Sequence, residues 1–212
     1  NADSVNETPE SVYNKWYKEF QQEQYVSVLE NSDRLISQFS GDEIVSKLEL
    51  LKANTIGKLK GVTAYKNALQ FVADNYPNSE EGKNALVILK NQIPFFEQMD
   101  FNSVETNNWK ILYKVGKKED NDTKALEEKL KKFFKENDFQ VLSYSYDFYN
   151  ENESFITIHG LNSAAFANNI VAKIQADKSG ESKQTAIVVT NQNYKVIQIK
   201  KNLDAYLVLK NQ

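Results

Sequence analysis

Val12, Trp16 and Phe20 recur every four residues near the start of the chain, with Tyr13 and Tyr17 beside them. That spacing keeps apolar side chains on one face of a helix. Thr8-Pro9-Glu10 comes just before. Thr caps, Pro fits the first helical position, and Glu favours the positive end of the helix dipole. A second helix is predicted from about Gln24, with Tyr25, Val28, Leu29, Leu35, Ile36 and Phe39 on its apolar face, broken by Ser40-Gly41-Asp42. A third carries Ile44, Leu48, Leu51 and Ala53, and Gly57 and Gly61 bracket a turn region. A fourth carries Val62, Tyr65, Leu69, Val72 and Tyr76 and stops at Tyr76-Pro77. Asn78 or Ser79 caps a fifth, with Ala85, Leu86, Leu89 and Ile93 inward, and Pro94 ends or kinks it.

An internal repeat runs through these helices. Leu48 and Leu51 match Leu86 and Leu89 at an offset of 38, and Tyr25 and Leu29 match Tyr65 and Leu69 at an offset of 40. Periods of this size belong to stacked helix pairs. Ala64-Tyr65-Lys66-Asn67-Ala68-Leu69, then Tyr76-Pro77-Asn78-Ser79 and Ala85, resembles the divergent tetratricopeptide repeats of bacterial envelope proteins. Residues 8–100 are therefore expected to form helical hairpins whose core continues into further repeats, upstream in a longer protein. Asn1-Ala2, with no starting Met, reads as a tag remnant on such an excised piece.

Residues 101–107 form a linker, and the texture then changes. Trp109, Ile111, Tyr113 and Val115 alternate with Lys110, Leu112 and Lys114, the period of a strand. A charged turn from Gly116 to Thr123 leads to an amphipathic helix, Ala125 to Asn137. Strands are predicted at Phe139–Tyr149 and Phe155–His159, then a helix capped by Asn162 or Ser163 through Ile174. A loop from Asp177 to Ser182 leads to a strand over Ala186–Val189, a short fifth strand over Tyr194–Ile199 and a last helix over Leu203–Leu209. The fold class is α+β. TPR-like hairpins come first, followed over 108–212 by a ferredoxin-like βαββαβ domain with an extra C-terminal strand and helix and two helices on one sheet face.

Charge and composition narrow the function. The net charge is −3; residues 1–100 carry net −5 and the remainder +2. Neither part has the basic field of a nucleic-acid binder. There is no Cys, which excludes disulfides, thiolate metal sites and Cys nucleophiles. No apolar run approaches the ~18 residues that span a bilayer, and the first residues lack the basic-then-apolar order of a signal peptide.

The candidate chemistry is thin. His159 is the only histidine, and Glu151 and Glu153 in the adjacent turn are not at ligand spacing. Gly-x-Ser-x-Gly nucleophile turns are absent. Asp42-Glu43, Glu80-Glu81, Glu119-Asp120 and Glu127-Glu128 fall in turns or at helix starts, where they stabilise helices. Gly57 and Gly61 lack the ending of a phosphate loop. The one arginine, Arg34, lies in the helical part, which argues against acylphosphatase-like chemistry. Lys117-Lys118 and Lys124, Lys129, Lys131, Lys132 and Lys135 interleave with acids as a solvated face. Trp109, Tyr113, Tyr144, Tyr146, Phe148 and Phe155 lack an RNA-binding run beside them and read as core and cross-strand pairs. No catalytic, cofactor or metal residue is assigned. Tyr13, Trp16, Tyr17, Tyr25 and Tyr65 are more aromatic surface than a thin stack buries, which points to contact with another repeat or a protein partner.

Three stretches carry a more specific likeness: Phe71 through Tyr76-Pro77-Asn78-Ser79 to Ala85, then Asn108-Trp109-Lys110-Ile111-Leu112-Tyr113, then Asn193-Tyr194-Lys195-Val196 through Lys201-Asn202-Leu203 to Tyr206. Their order resembles the C-terminal end of the tetratricopeptide-repeat lipoproteins called SprE or PorW, of gliding motility and type IX secretion in Bacteroidota. The resemblance implies a lipoprotein on the periplasmic side of the outer membrane, its lipidated Cys upstream. It implies a structural role with other proteins of that machinery as partners, and it brings no catalytic motif, cofactor or nucleic acid. Two other readings compete with it: a general periplasmic repeat adaptor in outer-membrane assembly, and an enzyme built on the ferredoxin-like domain.

Overall fold

The Oγ1 of Thr8 accepts a hydrogen bond from the Ser11 amide at 3.2 Å and starts α1 (Pro9–Gln21), the cap that the Thr-Pro-Glu pattern predicts. The computed structural model describes residues 8–137, 139–177 and 184–210. Asn1-Ala2 and most of the loop expected from Asp177 to Ser182 lie outside them. The described chain is α+β, with helices first and then a four-stranded antiparallel sheet. It divides into two compact units, Asn1–Met99 and Asp100–Gln212. No helix among the described residues is long and apolar enough to cross a membrane.

In the first unit α1 is followed by α2 (Tyr25–Gln38), α3 (Ile44–Lys60), α4 (Val62–Asn75), α5 (Glu80–Asn91) and the short α6 (Ile93–Gln98). α3 packs against α1, α2, α4 and α5. Val12, Trp16, Val28, Leu35, Ile44, Leu48 and Leu51 form one buried cluster. Of the aromatic residues expected at a surface, Trp16 and Tyr25 are core and Tyr17 is exposed.

Three local expectations change. Gly57 is not part of a turn; it lies inside α3. A Cβ there would stand 2.8 Å from Cγ of Tyr65, so this glycine serves the approach of an aromatic ring. Gly61 alone makes the turn, at φ +85°, a conformation open to glycine. Leu86 does not face inward: it is 37% exposed, and α5 buries Gly82, Ala85 and Ile88 instead. Gly82 sets that rotation, since a Cβ would lie 1.9 Å from the Tyr76 carbonyl oxygen. Pro94 falls in the first turn of α6 after α5 has ended at Asn91, where its missing N–H breaks no bond.

The second unit runs β1 (Trp109–Val115), α7 (Asn121–Glu136), β2 (Ser143–Phe148), β3 (Ser154–Leu161), α8 (Ala164–Ala176), β4 (Ala186–Thr190), α9 (Asn191–Lys200) and α10 (Leu203–Lys210). The strand order is β2-β3-β1-β4, every neighbour antiparallel. Ile111, Tyr113, Ile156 and Ile158 pack with Leu126, Leu130 and Phe133 of α7 and with Ile170 and Ile174 of α8. Leu112, Phe155, Ile187 and Val189 pack with Tyr194 and Ile197 of α9 and Leu203 and Tyr206 of α10.

The expected fifth strand over Tyr194–Ile199 is thus a helix, α9, and helices cover both sheet faces rather than one. Tyr194 with Val196 and Ile197 with Ile199 are two apart, as along a strand, while Tyr194 with Ile197 and Val196 with Ile199 are three apart, as on a helix. The cap decides: Thr190 ends β4, and its Oγ1 accepts the Asn193 amide at 3.1 Å. Lys201 closes α9 in the left-handed region. β2 is shorter than expected, beginning at Ser143 rather than Phe139. α7 begins at Asn121, inside the expected charged turn, which Asp120 closes by accepting the Lys117 amide at 2.8 Å. Ser163 caps α8. Residues 101–107 hold no helix or strand, yet they are pinned to α9. The Asn102 amide donates to Asn193 Oδ1 at 3.0 Å, and Asn193 Nδ2 donates to the Asn102 carbonyl at 2.8 Å.

Candidate functional site

Alternation along the strands sends Lys110 of β1, Ser145 and Asp147 of β2, and Thr157 and His159 of β3 to the sheet face that carries Leu112 and Phe155. Two β3 residues, His159 and Gly160, stand opposite the single β1 residue Lys110, because Trp109 pairs with Leu161 and Ile111 with Ile158. This is a bulge, and Gly160 takes its φ of +88°; bulges re-aim the side chain beside them. A Cβ at Gly160 would lie 2.0 Å from the Val141 carbonyl oxygen. From α9 come Tyr194 and Gln198.

These groups form one directed chain. Lys110 Nζ stands 2.8 Å from His159 Nδ1, and His159 Nε2 stands 2.7 Å from Ser145 Oγ. The Ser145 hydroxyl donates to Asp147 Oδ1 at 2.6 Å. The Tyr194 hydroxyl donates to Asp147 Oδ2 at 2.5 Å and accepts from Gln198 Nε2 at 2.9 Å. An ammonium has only donors, so Nδ1 of His159 accepts, and the ring's proton sits on Nε2 and goes to Ser145. The hydroxyl proton of Ser145 is then directed at Asp147.

Electrostatics follow the same lines. Burial, then the Lys110 charge, hold His159 below its ordinary pKa. Burial, reinforced by Lys195, lowers that of Lys110, while Asp147 opposes the shift. Burial and the Asp147 carboxylate raise that of Tyr194.

A serine nucleophile needs a base that accepts its proton and a group that stabilises the imidazolium so formed. Here His159 donates to Ser145 instead of accepting from it. A cation, not a carboxylate, faces its far nitrogen. In this arrangement the chain links β1, β2, β3 and α9, and the group that accepts the Ser145 proton is the Asp147 carboxylate.

The other sequence candidates are dispersed. Glu153 pairs with Lys114 at 2.8 Å, and no group of three or more His, Asp or Glu among the described residues is placed to hold a metal ion. Asp42 caps α3 through the Ile44 amide at 2.9 Å, and Glu81 accepts from Ser46 at 2.8 Å. Lys131 and Lys132 pair with Glu128 and Glu136 along α7, and Lys129 is buried with its Nζ on the Asp177 carbonyl. Tyr113 and Phe155 lie in the core on opposite sheet faces. Glu119 and Asp120 border a cleft of about 740 Å³, in which Asp120 is already bonded to the Lys117 amide.

One residue escapes a reading by motif. Glu49 of α3 is 7% exposed and lines a cleft of about 400 Å³ with Ala53, Ile56, Ala68 and Phe71. It has no hydrogen bond or ion pair among the described residues; the nearby Lys52 is engaged by Asp33 of α2. Burial raises its pKa, with Lys52 opposing and Asp33 adding to the rise. Its signal in the sequence is a carboxylate four residues from each of Val45 and Ala53, both buried. No protein-family model matches this chain, and no curated protein matches it.

Proposed function

We propose that this chain is a non-catalytic adaptor of a bacterial cell-envelope machine, that of type IX protein secretion and gliding motility. In this reading the first unit is a set of tetratricopeptide-type hairpins, α1 with α2, α3 with α4, and α5 with α6. Support comes from α3, which touches its own partner α4 and also α1 and α5, its counterparts in the neighbouring hairpins. The second unit is a ferredoxin-like domain extended by α9 and α10. Its support is the strand order β2-β3-β1-β4, with α7 between β1 and β2 and α8 between β3 and β4.

The observation that carries the non-catalytic reading is the direction of the hydrogen bonds at Ser145. The polar groups that sequence and geometry bring together satisfy one another: His159 donates to Ser145 instead of taking its proton, and Asp147, which accepts that proton, is also held by the Tyr194 hydroxyl. The resemblance to the SprE or PorW lipoproteins supplies the process. The chain then works at the periplasmic side of the outer membrane, anchored upstream, and its partners are other proteins of the machinery.

The test is deletion of the gene in its source organism, scored for colony spreading and for secreted proteins in the medium. Loss of both, restored by the intact gene, is the expected result. Normal spreading and secretion would sink the type IX assignment.

A further inference from the structure

The cleft over α3 combines two features. One is a largely apolar lining: Ala53 and Ile56 of α3 and Ala64 and Ala68 of α4, with Asn67 and Lys52 as its polar members besides Glu49, and Phe71 49% exposed. The other is Glu49, nine-tenths buried and lacking a hydrogen bond or ion pair among the described residues. Its carboxylate oxygens keep contact with solvent through the cleft, and a charge partly withdrawn from water without a partner is costly to keep. Burial already pushes Glu49 toward its neutral form, and a cation brought to it would reverse that push. Lys52 does not fill the role, because its Nζ is bonded to Asp33. The cleft's volume of about 400 Å³ admits a long side chain and its apolar neighbour.

We propose that this cleft is a docking slot for a segment of a partner protein that presents one arginine or lysine beside apolar residues, the cation seated on Glu49 and the apolar side chains on Ala68 and Phe71. The slot deepens the adaptor reading and rests on it, naming the chemistry of a partner. Charge complementarity carries the assignment: the lining selects apolar surface, and the one unpartnered charge selects a cation.

The test uses the isotope-labelled whole chain and a set of blocked peptides on one alanine–leucine background, with arginine, glutamine or glutamate at the centre. The arginine peptide is expected to bind at least about tenfold more tightly than the other two and to shift amide resonances around Glu49 and Phe71. Glu49→Gln should abolish that preference while leaving the glutamine peptide's affinity unchanged. Phe71→Ala should weaken all the peptides. Three results would overturn the slot: affinity independent of the central residue, preference that survives Glu49→Gln, or no binding. Arginine amide alone binding as tightly as the arginine peptide would also overturn it, since the site would then take a free small cation. Because the peptide readout needs no living cell, its failure is distinct from a failed deletion phenotype, which would leave the slot intact and remove the assigned machine.

Discussion

Lys110 Nζ lies 2.8 Å from Nδ1 of His159, across a bulge that sets His159 and Gly160 opposite one lysine. The contact survives only while the imidazole is neutral. A proton on Nδ1 would remove the acceptor and set two cations against each other.

Stability should therefore fall in mild acid through this pair. Burial and Lys110 hold the folded pKa of His159 below its unfolded value. The unfolded chain then binds more protons below roughly pH 6.5. The contribution is fully present above that pH and is lost as pH drops toward the folded value. Denaturant midpoints at about pH 8 and about pH 5 should differ less in His159→Gln than in the native chain. Equal differences would contradict the pairing. The groups facing His159 are Lys110, Ser145 and Asp147, with Tyr194 and Lys195 behind them, so Lys110→Met should flatten the same response.

Glu49→Gln should stabilise the chain at neutral pH by about 1 kcal/mol. The sign is opposite to that of His159. The folded pKa of Glu49 is raised, so its ionisation weakens the fold as pH climbs from the unfolded value through the folded one. Urea unfolding near neutrality measures it, and a loss of stability in the variant would show that Glu49 has a partner after all.

Gly82→Ala should be destabilising by about 2 kcal/mol or more, against the usual helix preference for Ala over Gly of about 1 kcal/mol. The added Cβ would meet backbone, the Tyr76 carbonyl oxygen, at 1.9 Å. Thermal unfolding checks it; a stabilised variant would refute the packing of α5 on the turn before it.

Asn193→Leu should free residues 101–107 from α9. Its amide side chain both accepts from and donates to the Asn102 backbone, and removing it leaves those groups unpaired at a cost of about 1–3 kcal/mol. Hydrogen exchange at Asn102 should accelerate in the variant. Unchanged protection would mean that the segment is held by other contacts.

The elements that could be recognised along the chain were those with a punctuation mark as well as a period. Thr8, Ser79 and Ser163 each sit one residue ahead of a helical apolar pattern, and each caps. β1 was recognisable because Trp109, Ile111, Tyr113 and Val115 recur at every second position, with only Leu112 apolar among the residues between them. α9 was not, because its apolar residues fit both periods and the cap, Thr190, also belongs to a strand. The two polar sites were hidden for different reasons. The Lys110–His159 contact depends on a bulge, which pairs residues 49 apart in the chain. Glu49 differs from any surface glutamate only by what packs around it.

We propose that the polar chain from Lys110 to Asp147 holds the fold and performs no chemistry. The most direct measurement is complementation of the gene deletion by a chain carrying Ser145→Ala and His159→Gln, accumulated to the level of the native protein. Colony spreading and secretion should be restored as fully as by the native gene. A folded, abundant variant that restores neither would contradict the proposal and return Ser145 and His159 to consideration as catalytic residues.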